Sequence, residues 1–256
     1  MSNNTALRAA LTAAFVLSMA PPAIWGQKAA PLCSSTATTE TCLIDDFSSP
    51  GGKAGMVGPI RSGYVQPTQT SSGAVGGNRM VLLQFDNPAN NEFNQPAQAQ
   101  VVPSKTEGIP SALVLSGGYK AYAGLAVFYG QGTDIGLNLS NLDRIRVSVD
   151  GMEVTGTFIL AVTSPTNSSP GECSIAIPVF GAGGSASPFT VDFPETQLNN
   201  ANAGETVDWS DITAISFFDT ESSDLGAPNF AITSISVVPK SAGPAEYTCS
   251  SQPAVR

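Results

Sequence analysis

The side chains able to do chemistry in this chain are carboxylates, tyrosines, lysines and serines, because its 256 residues include no histidine. That absence excludes Ser-His-Asp and Cys-His nucleophiles and His-ligated zinc. Asp45 and Asp46 stand side by side after a short apolar run, and Asp219, Glu221, Asp224 and Asn229 crowd the approach to the last apolar segment. Paired carboxylate oxygens suit a hard cation, so Asp45 and Asp46 are a candidate carboxylate couple or Ca²⁺ pair. The competing reading has them ending strands and satisfying turn N–H groups. The other acids, among them Asp150, Glu153 and Asp192, pair on paper in many ways, so no facing couple of the glycosidase kind is singled out.

Sugar recognition needs a different pattern, with aromatic rings to stack on the apolar faces of pyranoses and amides to satisfy hydroxyls. Tyr119, Tyr122 and Tyr129 cluster with Gln131 beside Gly117-Gly118, and these four residues are the candidate ligand surface. The alternative places Tyr129 in the core. Trp209, just ahead of an apolar segment, reads as a plug at one end of the fold. Arg79 follows a Gly76-Gly77-Asn78 turn. Its fork would clamp an acidic ligand or pair with an internal acid such as Asp45 or Asp46.

Four cysteines, Cys33, Cys42, Cys173 and Cys249, permit three pairings. The expected pattern joins Cys33 to Cys42 across a short loop and Cys173 to Cys249. Pairing of Cys33 with Cys249 is the rival. No C-x-x-C spacing suggests a metal. The disulfide expectation follows from the first 26 residues, where a single Arg8 precedes an apolar run from Ala9 to Ala20. This reads as a secretory signal too short to span a bilayer, removed after Gly26 or near Ala30. The alternative is a retained N-terminal anchor. Residues 27–41 read as a polar arm, 42–239 as a single domain and 240–256 as a tail. The expected location is secreted, extracellular or periplasmic, with no membrane span after cleavage.

The elements that must position these residues are strands. Charged residues make up 12% of the chain, about half the usual share, while 25 Gly and 19 Pro mark frequent turns. Segment 143–150 alternates Ile145, Val147 and Val149 against Arg144, Arg146, Ser148 and Asp150, the period of a half-buried strand. Similar short segments recur at 42–47, 76–83, 111–116, 125–129, 157–163, 173–180, 189–193, 214–218 and 230–238. Pro178 limits the far end of one of them. Asn87–Gln100 reads as a long loop, and Asp208–Ile212 as a single helical turn. No stretch after the signal keeps a helical period for three turns. The fold class is therefore all-β, a jelly-roll-like antiparallel β-sandwich. The net charge of −9, with no Lys/Arg cluster, argues against nucleic acid and anionic lipid as partners.

The order of several pieces resembles a family of secreted bacterial proteins of unknown function. These are Ile44-Asp45-Asp46-Phe47, the turn Gly76 to Arg79, Tyr129-Gly130, Leu139 to Val149, and Trp209 to Phe217 ahead of a final strand. The resemblance implies a jelly-roll or galactose-binding-like sandwich similar to many carbohydrate-binding modules. In such jelly-rolls a structural calcium sits near the first and last strands, which implies that Asp219, Glu221, Asp224 and Asn229 would complete a Ca²⁺ site with Asp45 and Asp46. The expected function is a non-catalytic binding module for a glycan or matrix polysaccharide. A self-associating structural exoprotein is the alternative, and a carboxylate-based glycan hydrolase or lyase ranks last.

Overall fold

In a computed structural model, the structure describes residues 30–37, 39–85, 94–104, 106, 109–118, 123–152, 156–167, 170–177, 188–199, 206–221 and 229–240. The expected signal segment and the tail from residue 241 lie outside them. Among the described residues there are fourteen strands: β1 (Cys42–Asp45), β2 (Met56–Ile60), β3 (Gly63–Val65), β4 (Thr68–Thr70), β5 (Asn78–Phe85), β6 (Ala97–Val102), β7 (Ala112–Gly117), β8 (Ala123–Tyr129), β9 (Leu142–Met152), β10 (Gly156–Thr163), β11 (Gly171–Ile177), β12 (Phe189–Pro194), β13 (Ala214–Glu221) and β14 (Phe230–Pro239). No helix among these residues is long and apolar enough to cross a membrane.

The strands form two antiparallel seven-stranded sheets. One runs β12-β9-β14-β7-β6-β2, and β1 lies against β14. The other runs β11-β10-β13-β8-β5-β3, and β4 lies against β5. From β7 onward the chain steps between the sheets at nearly every connection, which wraps one sheet over the other as in a jelly-roll. Alternation decides what lies between them. Val81, Leu83 and Phe85 of β5, Ile145, Val147 and Val149 of β9, and Ile215 and Phe217 of β13 all point inward and are buried.

The outer face of β9 departs from simple alternation. Arg144 is buried although it faces outward, because Asp192 of the neighbouring β12 accepts from Arg146 through both carboxylate oxygens at 2.7 and 2.8 Å and lies 3.0 Å from Arg144 Nε. Asp192 is thus a structural ion-pair partner held by two guanidinium groups.

Two segments differ from the sequence reading. β6 occupies the end of the expected 87–100 loop. Its Ala97, Ala99 and Val101 face inward while Gln98 and Gln100 face outward. Alanine and glutamine have weak strand preference, so the period of two is masked by residue type. The turn expected over 208–212 is a hydrogen-bonded reverse turn rather than a helical one, with Asp211 N–H donating to Asp208 O at 3.0 Å. The single described α-helical turn is α1 (Glu195–Leu198), which buries Leu198.

The Cys33–Cys42 disulfide is present. It fastens the arm to β1, where Cys33 N–H donates to Leu43 O at 2.9 Å and Leu43 N–H to Pro31 O at 2.8 Å. Cys173 is also disulfide-bonded. Its expected partner Cys249 lies outside the described residues.

Candidate functional site

β1 ends at Asp45 beneath the outer face of the second sheet, and a buried polar cluster forms around it. Arg79, on β5, donates to Asp45 Oδ2 through Nη1 and to Ser49 O through Nη2, and its Nε donates to Gln69 Oε1 at 3.0 Å. Tyr129, the last residue of β8, donates its hydroxyl to the same Asp45 oxygen at 2.9 Å. The Phe47 N–H donates to Asp45 Oδ1 at 2.8 Å, and the Phe47 ring lies 5.1 Å from the Arg79 guanidinium carbon. That bond helps hold Phe47 at φ +50, a backbone region unfavourable for a bulky residue. Burial pushes the Asp45 carboxyl above its ordinary range, against the pull of Arg79 and the hydrogen bonds it accepts. Burial, reinforced by the Asp45 charge, raises the Tyr129 phenol well above its ordinary range, so it stays a neutral donor.

The same strands carry a cleft on their outer side. Thr68 precedes Gln69, Asn78 and Met80 flank Arg79, and Phe128 and Gly130 flank Tyr129. A cleft of about 200 Å³ is lined by these five residues with Gly76, Gln131, Thr133 and Ile135, and Arg79 borders it without exposing its side chain. The register brings them together: Thr68 lies opposite Met80, and Met80 opposite Phe128. Half-buried Met80, Phe128 and Ile135 make the floor, while exposed Thr68, Asn78, Gln131 and Thr133 make the rim. Phe128 is braced edge-to-face by Phe218 at 5.3 Å. The loop closing the cleft is pinned by Ile135 N–H to Thr213 O at 3.2 Å and Leu137 N–H to Ile212 O at 3.0 Å. Gly130 starts that loop at φ +87, and a side chain there would run into the Thr213 carbonyl.

The residues read as candidates from the sequence are distributed unevenly. Gln131 lines the cleft. Tyr129 does not, because it is fully buried and offers no ring face to a ligand. Tyr119, Tyr122 and Asp224 lie outside the described residues, as does the side chain of Glu221. Asp45 is fully buried with its oxygens committed to Arg79, Tyr129 and Phe47, so it is not open to a cation. Asp46 Oδ1 instead accepts from Ser48 N–H at 2.8 Å, as a turn-former would. Asp219 points into the sandwich between Leu125 and Phe158, four residues along β13 from the Ile215–Tyr129 row, about 13 Å at the rise of a strand. Asn229 Oδ1 accepts from Gly117 N–H at 3.1 Å. The described candidates Asp45, Asp46, Asp219 and Asn229 are thus not gathered into one site, and no group of three His, Cys, Asp or Glu suited to a metal occurs among the described residues. Arg79 pairs with Asp45, one of its two expected acids. Trp209 is the expected plug, buried with its indole N–H donating to Asn199 Oδ1 at 2.8 Å. Thr68, Asn78, Thr133 and Phe128 escaped the sequence reading, since only the register assembles them.

No protein-family model and no curated protein sequence matches the chain. Among solved structures it is similar to the family 11 carbohydrate-binding module of a cellulosomal cellulase of Clostridium thermocellum, at 13% identity over 79% of this chain and 96% of that one, with a TM-score of 0.41. A carbohydrate-binding module specific for non-crystalline cellulose is similar at 12% identity over 55% of this chain and 79% of that one, with a TM-score of 0.36. An exo-β-agarase is similar at 14% identity with a TM-score of 0.37, the match covering 77% of this chain and 25% of the agarase.

Proposed function

We propose that the chain is a secreted, non-catalytic binding module whose outer-face cleft takes a neutral glycan. The observation that carries this reading is the chemistry of the cleft. Its floor is apolar and aromatic, its rim is built from hydroxyls and amides, and the one ionisable residue among the described residues that line it, Arg79, is neutralised beneath the surface by Asp45. An uncharged ligand that is apolar on one face and hydroxylated at its edges matches that surface. A glycosidase would need two carboxyl groups facing one another across the site, and no acid is among the described residues that line this cleft. The Cys33–Cys42 bond suits an oxidising compartment.

The test is a broad glycan array probed with the purified protein, followed by Asn78→Ala and Gln131→Ala. Selective retention of neutral glycans, weakened in both variants at unchanged melting temperature, is the expected result. Failure to retain any glycan, with self-association seen by sedimentation, would replace this reading by that of a structural exoprotein.

A further inference from the structure

Tyr64 is 70% exposed, far more than any other described large hydrophobic residue. It is the middle residue of β3, and the next residue, Val65, turns inward against the core. Strand register places Tyr64 on the same face as the cleft. Tyr64 lies opposite Gln84 just as Thr68 lies opposite Met80, and Gln84 and Met80 share the outer side of β5 with Leu82. Met80 and Gln84 lie four positions apart on β5, so Tyr64 stands about 13 Å from the cleft floor along a straight line.

The stretch between them is continuous and uncharged. Leu82 lies half-buried beside Ala126, and Gln66, exposed, donates its amide to Met80 Sδ. Tyr64, Gln66, Thr68 and Gln84 thus carry one ring, two amides and two hydroxyls, with no formal charge, in a chain whose net charge is −9. A ring at one end, a cleft at the other and an uncharged surface between them, apolar at Leu82 and flanked by the Gln66 and Gln84 amides, are matched by a ligand longer than one sugar ring.

Resting on the glycan reading of the cleft, we infer that the site is an extended track running along β5 to Tyr64, and that its ligand is an internal stretch of a linear, uncharged polysaccharide. The cleft holds one part of the chain, and Tyr64 stacks on a sugar further along. The neutral lining disfavours polyuronates and sulfated glycans, whose charges would go unpaired.

Calorimetry with gluco-, xylo-, manno- and galacto-oligosaccharides, from monosaccharide to hexasaccharide, tests this on the wild-type protein, Tyr64→Ala, Tyr64→Phe and Gln131→Ala. In the sugar series that binds, wild-type affinity should rise with length beyond the disaccharide. Tyr64→Ala should remove that rise, a loss of roughly 2- to 12-fold for the longest ligands, and leave the shortest unchanged. Tyr64→Phe should restore it, and Gln131→Ala should weaken every length. Affinity that does not grow with length, or that is the same in Tyr64→Ala, overturns the track while the cleft reading stands. A preference for charged over neutral polymers of equal length overturns the ligand class. Absence of binding at every length and in every series overturns the glycan reading and the track with it.

Discussion

Arg79 and Asp45 meet inside the sandwich with neither side chain exposed, although they lie on different strands of different sheets. The pair ties β1 to β5, and Tyr129 adds β8 to the same carboxylate. Removing one member of a buried pair leaves a desolvated charge, which costs about 3–5 kcal/mol, whereas well-packed apolar replacements of both members are often tolerated. Arg79→Met should therefore lower the urea midpoint strongly, and the Arg79→Met/Asp45→Leu double variant should recover a large part of the loss. A small effect of the single change would show that the pair does not hold the strands together.

The pH dependence of this cluster has a definite sign. Burial raises the folded-state pKa of Asp45 above the ordinary 3.8, so the folded protein binds more protons than the unfolded chain between those two values. The contribution of Asp45 to stability is greatest below 3.8 and is lost as pH rises through the folded pKa. Asp208 behaves oppositely. Ser210, through its hydroxyl and N–H, lowers the Asp208 pKa, so its contribution is present above 3.8 and is lost as pH falls through its folded value. Carbon-detected NMR titration of the side-chain carboxyls should place the Asp45 inflection above 3.8 and that of Asp208 below it; the reverse order would refute the assignment.

The Cys33–Cys42 disulfide closes a loop with a sequence separation of 9. Constraining a loop of that size in the unfolded chain stabilises the fold by about 2–3 kcal/mol. The Cys33→Ala/Cys42→Ala double variant should lose that amount of unfolding free energy in a urea titration. It should also show faster amide exchange at Cys33 and Leu43, whose backbone bonds the disulfide clamps. Unchanged exchange there would mean that the arm is held by its hydrogen bonds alone.

Gly130 joins β8 to the loop over the cleft with positive φ and no room for a side chain. Gly130→Ala should lose about 1–3 kcal/mol in thermal or urea unfolding. The loop displacement should appear as NMR shift changes at Gln131 and Thr133, on the cleft rim. Wild-type shifts at both would dissociate the turn from the cleft.

Local pattern carried much of the architecture. The alternation over 143–150 specified which face of β9 is buried, because strand side chains alternate whatever the rest of the fold does. Close spacing anticipated the Cys33–Cys42 loop, and the position of Trp209 before a strand anticipated its burial. Tertiary structure decided what local pattern cannot. Tyr129 and Tyr64 are the same residue type on short apolar strands, yet one is fully buried beside Asp45 and the other stands in solvent. Which of them meets a ligand depends on the facing sheet, not on the neighbouring residues. The cleft is likewise invisible along the chain, since Thr68, Asn78, Phe128 and Gln131 become neighbours only when β4, β5 and β8 pair in register. An apolar or polar side chain states a preference for core or water, but long-range pairing alone settles which side chains share a surface.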